Sequence, residues 1–440
     1  MPIRSGAEFV LGANRMPRRN IFAVTLGNAL EFYDFVTYAF FSIQIGHAFF
    51  PAQSAYGSLM LSLATFGAGF LTRPLGAFVI GNYADRVGRR AAMLLCFVLM
   101  GCAIVGMALI PSYATIGIAA PILAVIARMT QGFSLGGEIG SNTAYLAEAA
   151  TPESRGLVVS WQGASQSAAV MTGSLVGVLL TSVLPAASLD AYGWRIAFLL
   201  GAATVPFGLW LRMRLPETLH QSATATPAAP AAPIPARLAL ARRYWPIFAC
   251  GLVFIASGTI ATYIFGYIVT YAQDTMHLSA RVGFIASTGG NLLGIPVTLY
   301  AGWLSDRRGR RPVMIWGNLL FLLLIYPTFA WIAATRSEFA FITGMIFLNA
   351  VQGLAVGAFY AALAESLPQA IRGAGFGITY SLAIAIFGGT TQLVVTWLLH
   401  VTGNPVAPAW YLTGAALMGQ IALMLMPESA PVKLARAAGR

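Results

Sequence analysis

Charge is scarce in this chain. Asp, Glu, Lys and Arg make up 9% of its 440 residues, against about 25% in an ordinary soluble domain. Lysine is nearly missing, since Lys433 is the single one among 26 basic residues. Cysteine is equally sparse. Cys96, Cys102 and Cys250 all sit inside apolar stretches with no pair at metal-ligand spacing, so neither a disulfide frame nor a zinc site is expected. Of the four histidines, His47, His277 and His400 fall near helix ends and His220 in a polar stretch, none placed as a buried proton relay. No G-x-x-x-x-G-K-[ST] or His-Glu-x-x-His run and no Cys/His cluster occurs, which argues against ATP-driven work and against an enzyme. No cofactor and no metal is expected.

What fills the chain instead is apolar. Hydrophobic residues reach 58% and the mean hydropathy is +0.74. Runs such as AAMLLCFVLMGCAIVGMALI (91–110) stay apolar all round for the roughly 20 residues that cross a bilayer. The expected fold is an all-α membrane protein of 12 transmembrane helices. They are placed near 20–45, 57–81, 90–110, 115–147, 156–184, 193–213, 244–271, 281–304, 312–334, 338–367, 372–398 and 406–427. QSATATPAAPAAPIPAR (221–237) can neither span nor build a core and reads as flexible linker. The expected organisation is an N-terminal tail (1–19), a six-helix half (20–213), a linker (214–243), a second half (244–427) and a C-terminal tail (428–440). The basic leader runs straight into an apolar segment with no cleavage pattern, so the first helix is expected to be retained.

The formal charge of +12 is topogenic rather than a nucleic-acid surface. Arginine collects in the tails, in the linker and in the loops near 82–90, 148–155, 305–311 and 368–372, and excess Lys/Arg marks the cytoplasmic side. Both termini and the linker are therefore expected in the cytoplasm, with the chain in the inner membrane.

The halves repeat one another. GNYADRVGRR (81–90) returns as GWLSDRRGRR (302–311), YLAEAATPESRG (145–156) as ALAESLPQAIRG (362–373), and LPET (215–218) as MPES (426–429). Duplicated six-helix halves form a transporter architecture. Within the decamers, Asp85 and Asp306 are acids inside basic turns, so each is expected to have a specific partner in a cytoplasmic gate. Glu148, Arg155, Glu365 and Arg372 end the neighbouring helices on the same side. Arg86, Arg89, Arg307 and Arg310 either belong to that gate or anchor the turn at anionic headgroups.

The decamers resemble the loop 2–3 and loop 8–9 signatures of the major facilitator superfamily, and RMTQGFSLG (128–136) resembles its helix-4 motif, associated with proton coupling. GNALEFYDF (27–35), TRPLGA (72–77), QGFSLGGEIG (131–140) and AIFGGTTQLV (385–394) resemble the metabolite:proton symporter branch. SWQGASQS (160–167) and ATPESRG (150–156) look most like the citrate and tricarballylate carriers. The resemblance covers nearly the whole chain. It implies the major facilitator fold and proton-coupled import of a small organic acid, with proline- or betaine-type zwitterions as the alternative cargo and a non-transporting sensor as a remote one. Acid, protons and the bilayer are then the partners, nucleic acid is not, and a monomer is expected.

Ionisable groups at bilayer depth are functional hypotheses by default. Glu31 and Asp34 lie on one face of the first helix, Arg73 on the second, and Arg128 and Glu138 on the fourth. A carboxylate there can load a proton near neutral pH while a neighbouring Arg pulls its pKa down. Asp34, Glu31 and Glu138 are the proton-carrier candidates, Asp34 alternatively forming a structural pair with Arg73 or Arg128. Arg128 cannot lose its proton and binds an anion or tunes a carboxylate; Arg73 binds substrate or snorkels to headgroups. Gln131, Asn142, Tyr145, Gln162 and Gln166 complete a polar lining or act as interhelix glue. Tyr263, Tyr267 and Tyr271 recur every four residues and read as packing or an interface belt.

Overall fold

The computed structural model describes residues 18–87, 89–136, 146–147, 150–213, 240, 242–431 and 433. Glu138, Asn142, Tyr145, Glu148 and residues 214–239 of the expected linker lie outside the described residues, as do the side chains of Glu31, Asp34, Asp85, Arg86, Arg89 and Arg372.

Twelve long helical stretches run through the described residues. In the first half they are α1 (Arg18–Phe40, continued by Ser42–Phe49), α2 (Ala55–Leu71, continued by Arg73–Val87), α3 (Arg89–Leu109), α4 (Ala119–Leu135), α5 (Arg155–Val183) and α6 (Trp194–Met213). The second half holds α7 (Trp245–Gly266), α8 (Ala280–Arg308), α9 (Arg310–Thr335), α10 (Glu338–Ser366), α11 (Gln369–Ala383, joined by a π-turn at Ile384–Gly388 to Gly389–Thr402) and α12 (Ala407–Leu425). Among the described residues, eight spans are long and apolar enough to cross a membrane, and Leu94–Leu109 and Ala119–Leu135 are shorter apolar helices.

Local signals set the ends. Ser54 and Ser337 cap α2 and α10 by accepting from Gly57 N and Ala340 N, both at 3.1 Å, each satisfying an orphan amide of the first turn. Pro246 opens α7 and Pro408 opens α12, where the missing N–H costs nothing. Differences from expectation are local. The fourth helix starts at Ala119 rather than 115, because Gly117 at φ +60° ends a short turn over Tyr113–Ile116. The seventh stays regular only to Gly266 and goes on through Ile268–Thr270 into a π-turn at Tyr271–Thr275. Gly266 adds no side chain to hold the helix there.

Pairings within the halves match at an offset of six helices. α2 packs on α4 as α8 does on α10, α3 on α4 as α9 on α10, α3 on α6 as α9 on α12, and α1 on α5 as α7 on α11. The halves meet along α5–α8 and α2–α11, which are equivalents under that same offset. The surface is inverted relative to a soluble protein. Phe78, Leu179, Trp316 and Leu323 face outward, whereas Arg128 and Arg310 are fully buried.

Candidate functional site

Arg73 and Arg128 come together because α4 presses on α2 backbone to backbone. A Cβ on Gly132 would collide with the Gly69 carbonyl, and one on Gly136 with the carbonyl of Arg73, so only glycine permits this approach. Thr72 secures the contact by donating to the Met129 carbonyl at 2.8 Å. It also occupies the break in α2, where Pro74 lies in the first turn of the second segment. Arg73 thus begins a helical segment inside the bundle, not at its rim.

Both guanidiniums lie over the ring of Phe35 on α1, each 4.7 Å from its centroid. Arg73 also covers Phe70 at 4.4 Å, and Arg128 covers Tyr38 at 4.5 Å and Phe66 at 5.0 Å. In a desolvated setting such a cation–π contact is worth about 2 kcal/mol. Arg73 is 5% exposed and Arg128 0%, which removes the snorkelling reading of Arg73. Arg128 Nη1 donates to Gln131 Oε1 at 2.5 Å. Arg73 Nε, Gln131 Nε2 and Gln166 Nε2 are buried donors that make no hydrogen bond among the described residues. Native proteins tolerate few such groups, and this set is suited to the oxygens of an anion.

Gln166 opens onto a central cavity of about 50 Å³ between the halves. Phe32 and Gln166 line it from the first half, and Phe254, Tyr263, Phe359, Tyr360 and Tyr380 from the second. Gln162, one turn earlier on α5, turns away: its Nε2 donates to Asn28 Oδ1 at 3.1 Å, and Asn28 Nδ2 donates to Ser165 Oγ at 2.8 Å. Gln162 therefore ties α5 to α1. The tyrosine stripe of α7 is no interface belt. Tyr263, Tyr267 and Tyr271 are buried; Tyr267 accepts from Thr396 Oγ1 at 3.0 Å and Tyr271 donates to the Pro405 carbonyl at 2.7 Å.

Contacts bridge the halves at both ends of the cleft. At the arginine-rich end, Asp306 Oδ1 accepts from Gly156 N at 2.7 Å and Oδ2 from Leu157 N at 2.9 Å. Arg310 joins Asp306 at 2.7 Å and grips Glu365 through Nε at 3.1 Å and Nη2 at 3.0 Å. Arg155 Nη1 reaches Glu365 at 3.5 Å. Asp306, Arg310, Glu365 and Arg155, singled out from sequence, thus form one cluster across the halves. Arg307 stays out of it and stacks on Trp303 at 4.0 Å, because adjacent residues of a helix point apart. At the opposite end Phe40 and Phe41 pack on Phe284 with centroids 5.7 and 5.4 Å apart. Tyr56 there stacks on His400 at 3.8 Å.

Sequence reasoning missed Glu428, Ser429, Tyr360 and Tyr380. Glu428 accepts from Arg310 N at 2.8 Å and Arg311 N at 3.2 Å, and Ser429 Oγ donates to Glu365 at 3.1 Å. The recurrence of LPET as MPES was the available signal for the first two. Nothing in the spacing of Tyr360 or Tyr380 marks them as facing a cavity.

The chain is 38% identical over 418 residues to the citrate-proton symporter of Klebsiella pneumoniae, covering 94% of this chain and 93% of that protein. It is 32% identical over 427 residues to the alpha-ketoglutarate permease of Escherichia coli, covering 95% and 96%. The fold is shared with the xylose transporter XylE of E. coli in a partially occluded inward-open conformation, at a TM-score of 0.74 and 18% identity, covering 93% of this chain and 97% of that one. The family model described as Major Facilitator Superfamily matches residues 24–383. With twelve helices in matched halves and a cavity between them, this multi-pass membrane protein belongs to the Major Facilitator Superfamily and is a transporter, not an enzyme.

Proposed function

We propose that the protein imports a small organic acid of the citrate class together with protons by alternating access across the inner membrane. The observation that carries this reading is the pair of buried guanidiniums, Arg73 and Arg128, over one ring beside the central cavity. Two fixed cations in low dielectric suit a multiply charged anion, and the relatives named for citrate and alpha-ketoglutarate support it. The boundaries 20–213 and 244–427 define the rocking halves, and the arginine-rich end faces the cytoplasm with both termini and the linker. Asp34, Glu31 and Glu138 are the groups that carry protons past the arginines. Substrate contacts fall to Arg73, Arg128, Gln131 and Gln166, with Asn142 and Tyr145 farther along helix 4. Gln162 holds α1 to α5 beside them. The Asp306–Arg310–Glu365–Arg155 cluster is the inner gate, its repeat counterpart being Asp85, Arg86, Arg89 and Glu148 of the first half with Arg372 of the second. The carrier works as a monomer.

Purified protein in proteoliposomes should accumulate radiolabelled citrate when the outside is made acidic. Uptake that survives an uncoupler would remove the proton from the mechanism, and failure to carry any di- or tricarboxylate would remove the acid. Asp34→Asn should abolish accumulation while sparing counterflow exchange.

A further inference from the structure

A carrier that performs net symport must close twice in each cycle, once loaded and once empty. Loaded closure buries substrate oxygens against the first-half donors. Empty closure would bury those donors bare, and an unpaired buried charge or amide is strongly disfavoured. Something in the protein has to stand in for the substrate, or the empty carrier cannot return and the protein becomes an obligate exchanger.

The second half supplies two hydroxyls at the right places. The Tyr263 ring inserts among the first-half rings beneath the arginines, with centroids 5.3 Å from Phe70, 5.9 Å from Phe66 and 6.2 Å from Phe35. It thereby contacts the same Phe70 ring that Arg73 covers at 4.4 Å, in the field of the Arg73 guanidinium, whose Nε has no hydrogen-bond partner among the described residues. Tyr380, 5% exposed on α11, lines the same cavity as Gln166, whose Nε2 likewise has no hydrogen-bond partner among the described residues, and contacts Tyr360 edge-on at 6.3 Å. Both tyrosines belong to the second half, and both line the central cavity. A phenylalanine would pack equally well in either place.

We propose that Tyr263 and Tyr380 are built-in substrate surrogates: in the empty carrier their hydroxyl oxygens occupy, on Arg73 and Gln166, the positions that carboxylate oxygens take in the loaded one. The substrate displaces them on binding, and they return when it leaves. This rests on the acid-symport reading above and adds to it why the same site can reorient empty.

The test compares Tyr263→Phe and the double variant with Tyr380→Phe against Tyr267→Phe, a buried tyrosine bonded to Thr396 within its own half. In proteoliposomes, Tyr263→Phe should cut net pH-driven citrate uptake on the order of 10-fold, since a hydrogen bond to a charged group is worth about that factor. Citrate/citrate exchange should stay within about 2-fold, because exchange never needs the empty return. Tyr267→Phe should leave the ratio of net uptake to exchange unchanged. A second readout needs no substrate. Spin labels at Val183→Cys and Ser279→Cys, in a background without the native cysteines, report closure between the ends of α5 and α8. The closed fraction of substrate-free protein should fall about 10-fold in Tyr263→Phe and not in Tyr267→Phe. Equal losses in net uptake and exchange, or an unchanged closed fraction, overturn the surrogate role. Wild-type protein that moves no citrate overturns the acid-symport reading instead, and the spin-label result still decides what Tyr263 does.

Discussion

The carboxylate of Asp306, in the second half, accepts the backbone N–H of Gly156, in the first, at 2.7 Å. An acid from one half therefore caps a helix of the other, with Leu157 N on its second oxygen at 2.9 Å and Arg310 holding it from behind at 2.7 Å. The positive end of α5 and a carboxylate attract in a setting that water does not screen. This explains why an acid persists in an otherwise basic turn.

Asp306→Asn keeps the shape and loses the charge. Charge-assisted bonds of this kind contribute about 1.5–3 kcal/mol each, so the closed arginine-rich end should lose population at least 10-fold. A cysteine at Val356, which lines the cavity, would then react faster with a membrane-impermeant thiol reagent applied from that end. An unchanged rate would mean the cap does not hold the gate.

The same crossing restricts side-chain size. A Cβ on Gly302 would lie 2.6 Å from the Gly156 carbonyl and 2.5 Å from Ser160 Oγ, so Gly302→Val should prevent α5 and α8 from closing and lower the melting temperature. Gly163→Ala, farther along α5, is the control. Its Cβ would meet Thr298 Cγ2 at 3.4 Å and Val356 Cγ1 at 4.0 Å, ordinary contact that predicts a change within about 0.5 kcal/mol. Equal effects of the two changes would refute the argument from close approach.

Glu428 offers a stability measurement independent of transport. Gly309 sits at φ +102°, a conformation glycine adopts without penalty, and so turns α8 sharply into α9. The first amides of α9 are left to Glu428, at 2.8 and 3.2 Å. Glu428→Ala should cost about 1–2 kcal/mol, as loss of a helix cap does, read as a lower melting temperature in detergent. Glu428→Gln should recover part of it.

How much of this was legible beforehand varied with the physics involved. The span count and the duplication follow from apolar run length and from repeated motifs, both of which survive any detail of packing. The acid of the second decamer was also legible, because a charge opposing the local sign needs a partner. Arg307 was not separable from Arg310, since a motif does not tell which face of a helix end meets the neighbour. Gln162 and Gln166 share a face by spacing, yet Asn28 captures one and the cavity takes the other. That choice is made by α1, not by α5. Tyr360 and Tyr380 were invisible because an aromatic residue in an apolar helix carries no mark of what it faces.

Arg73 separates a binding role from a merely cationic one. Its guanidinium covers Phe70 at 4.4 Å and Phe35 at 4.7 Å, a flat arrangement that a lysine ammonium cannot reproduce. If Arg73 served only as a positive charge, Arg73→Lys would be nearly silent. With stacking and forked donation both required, the variant should raise the KM for citrate at least 10-fold, the loss of about 1.4 kcal/mol of binding. Its melting temperature should fall by only a few degrees, because the aromatic cluster of Phe35, Phe66 and Phe70 still packs against itself. Phe35→Leu provides the complementary case. It leaves both arginines in place but removes the ring they share, so it should weaken citrate binding and lower stability together. A KM unchanged in Arg73→Lys would move the substrate's carboxylates away from α2 and leave Arg128 as their anchor.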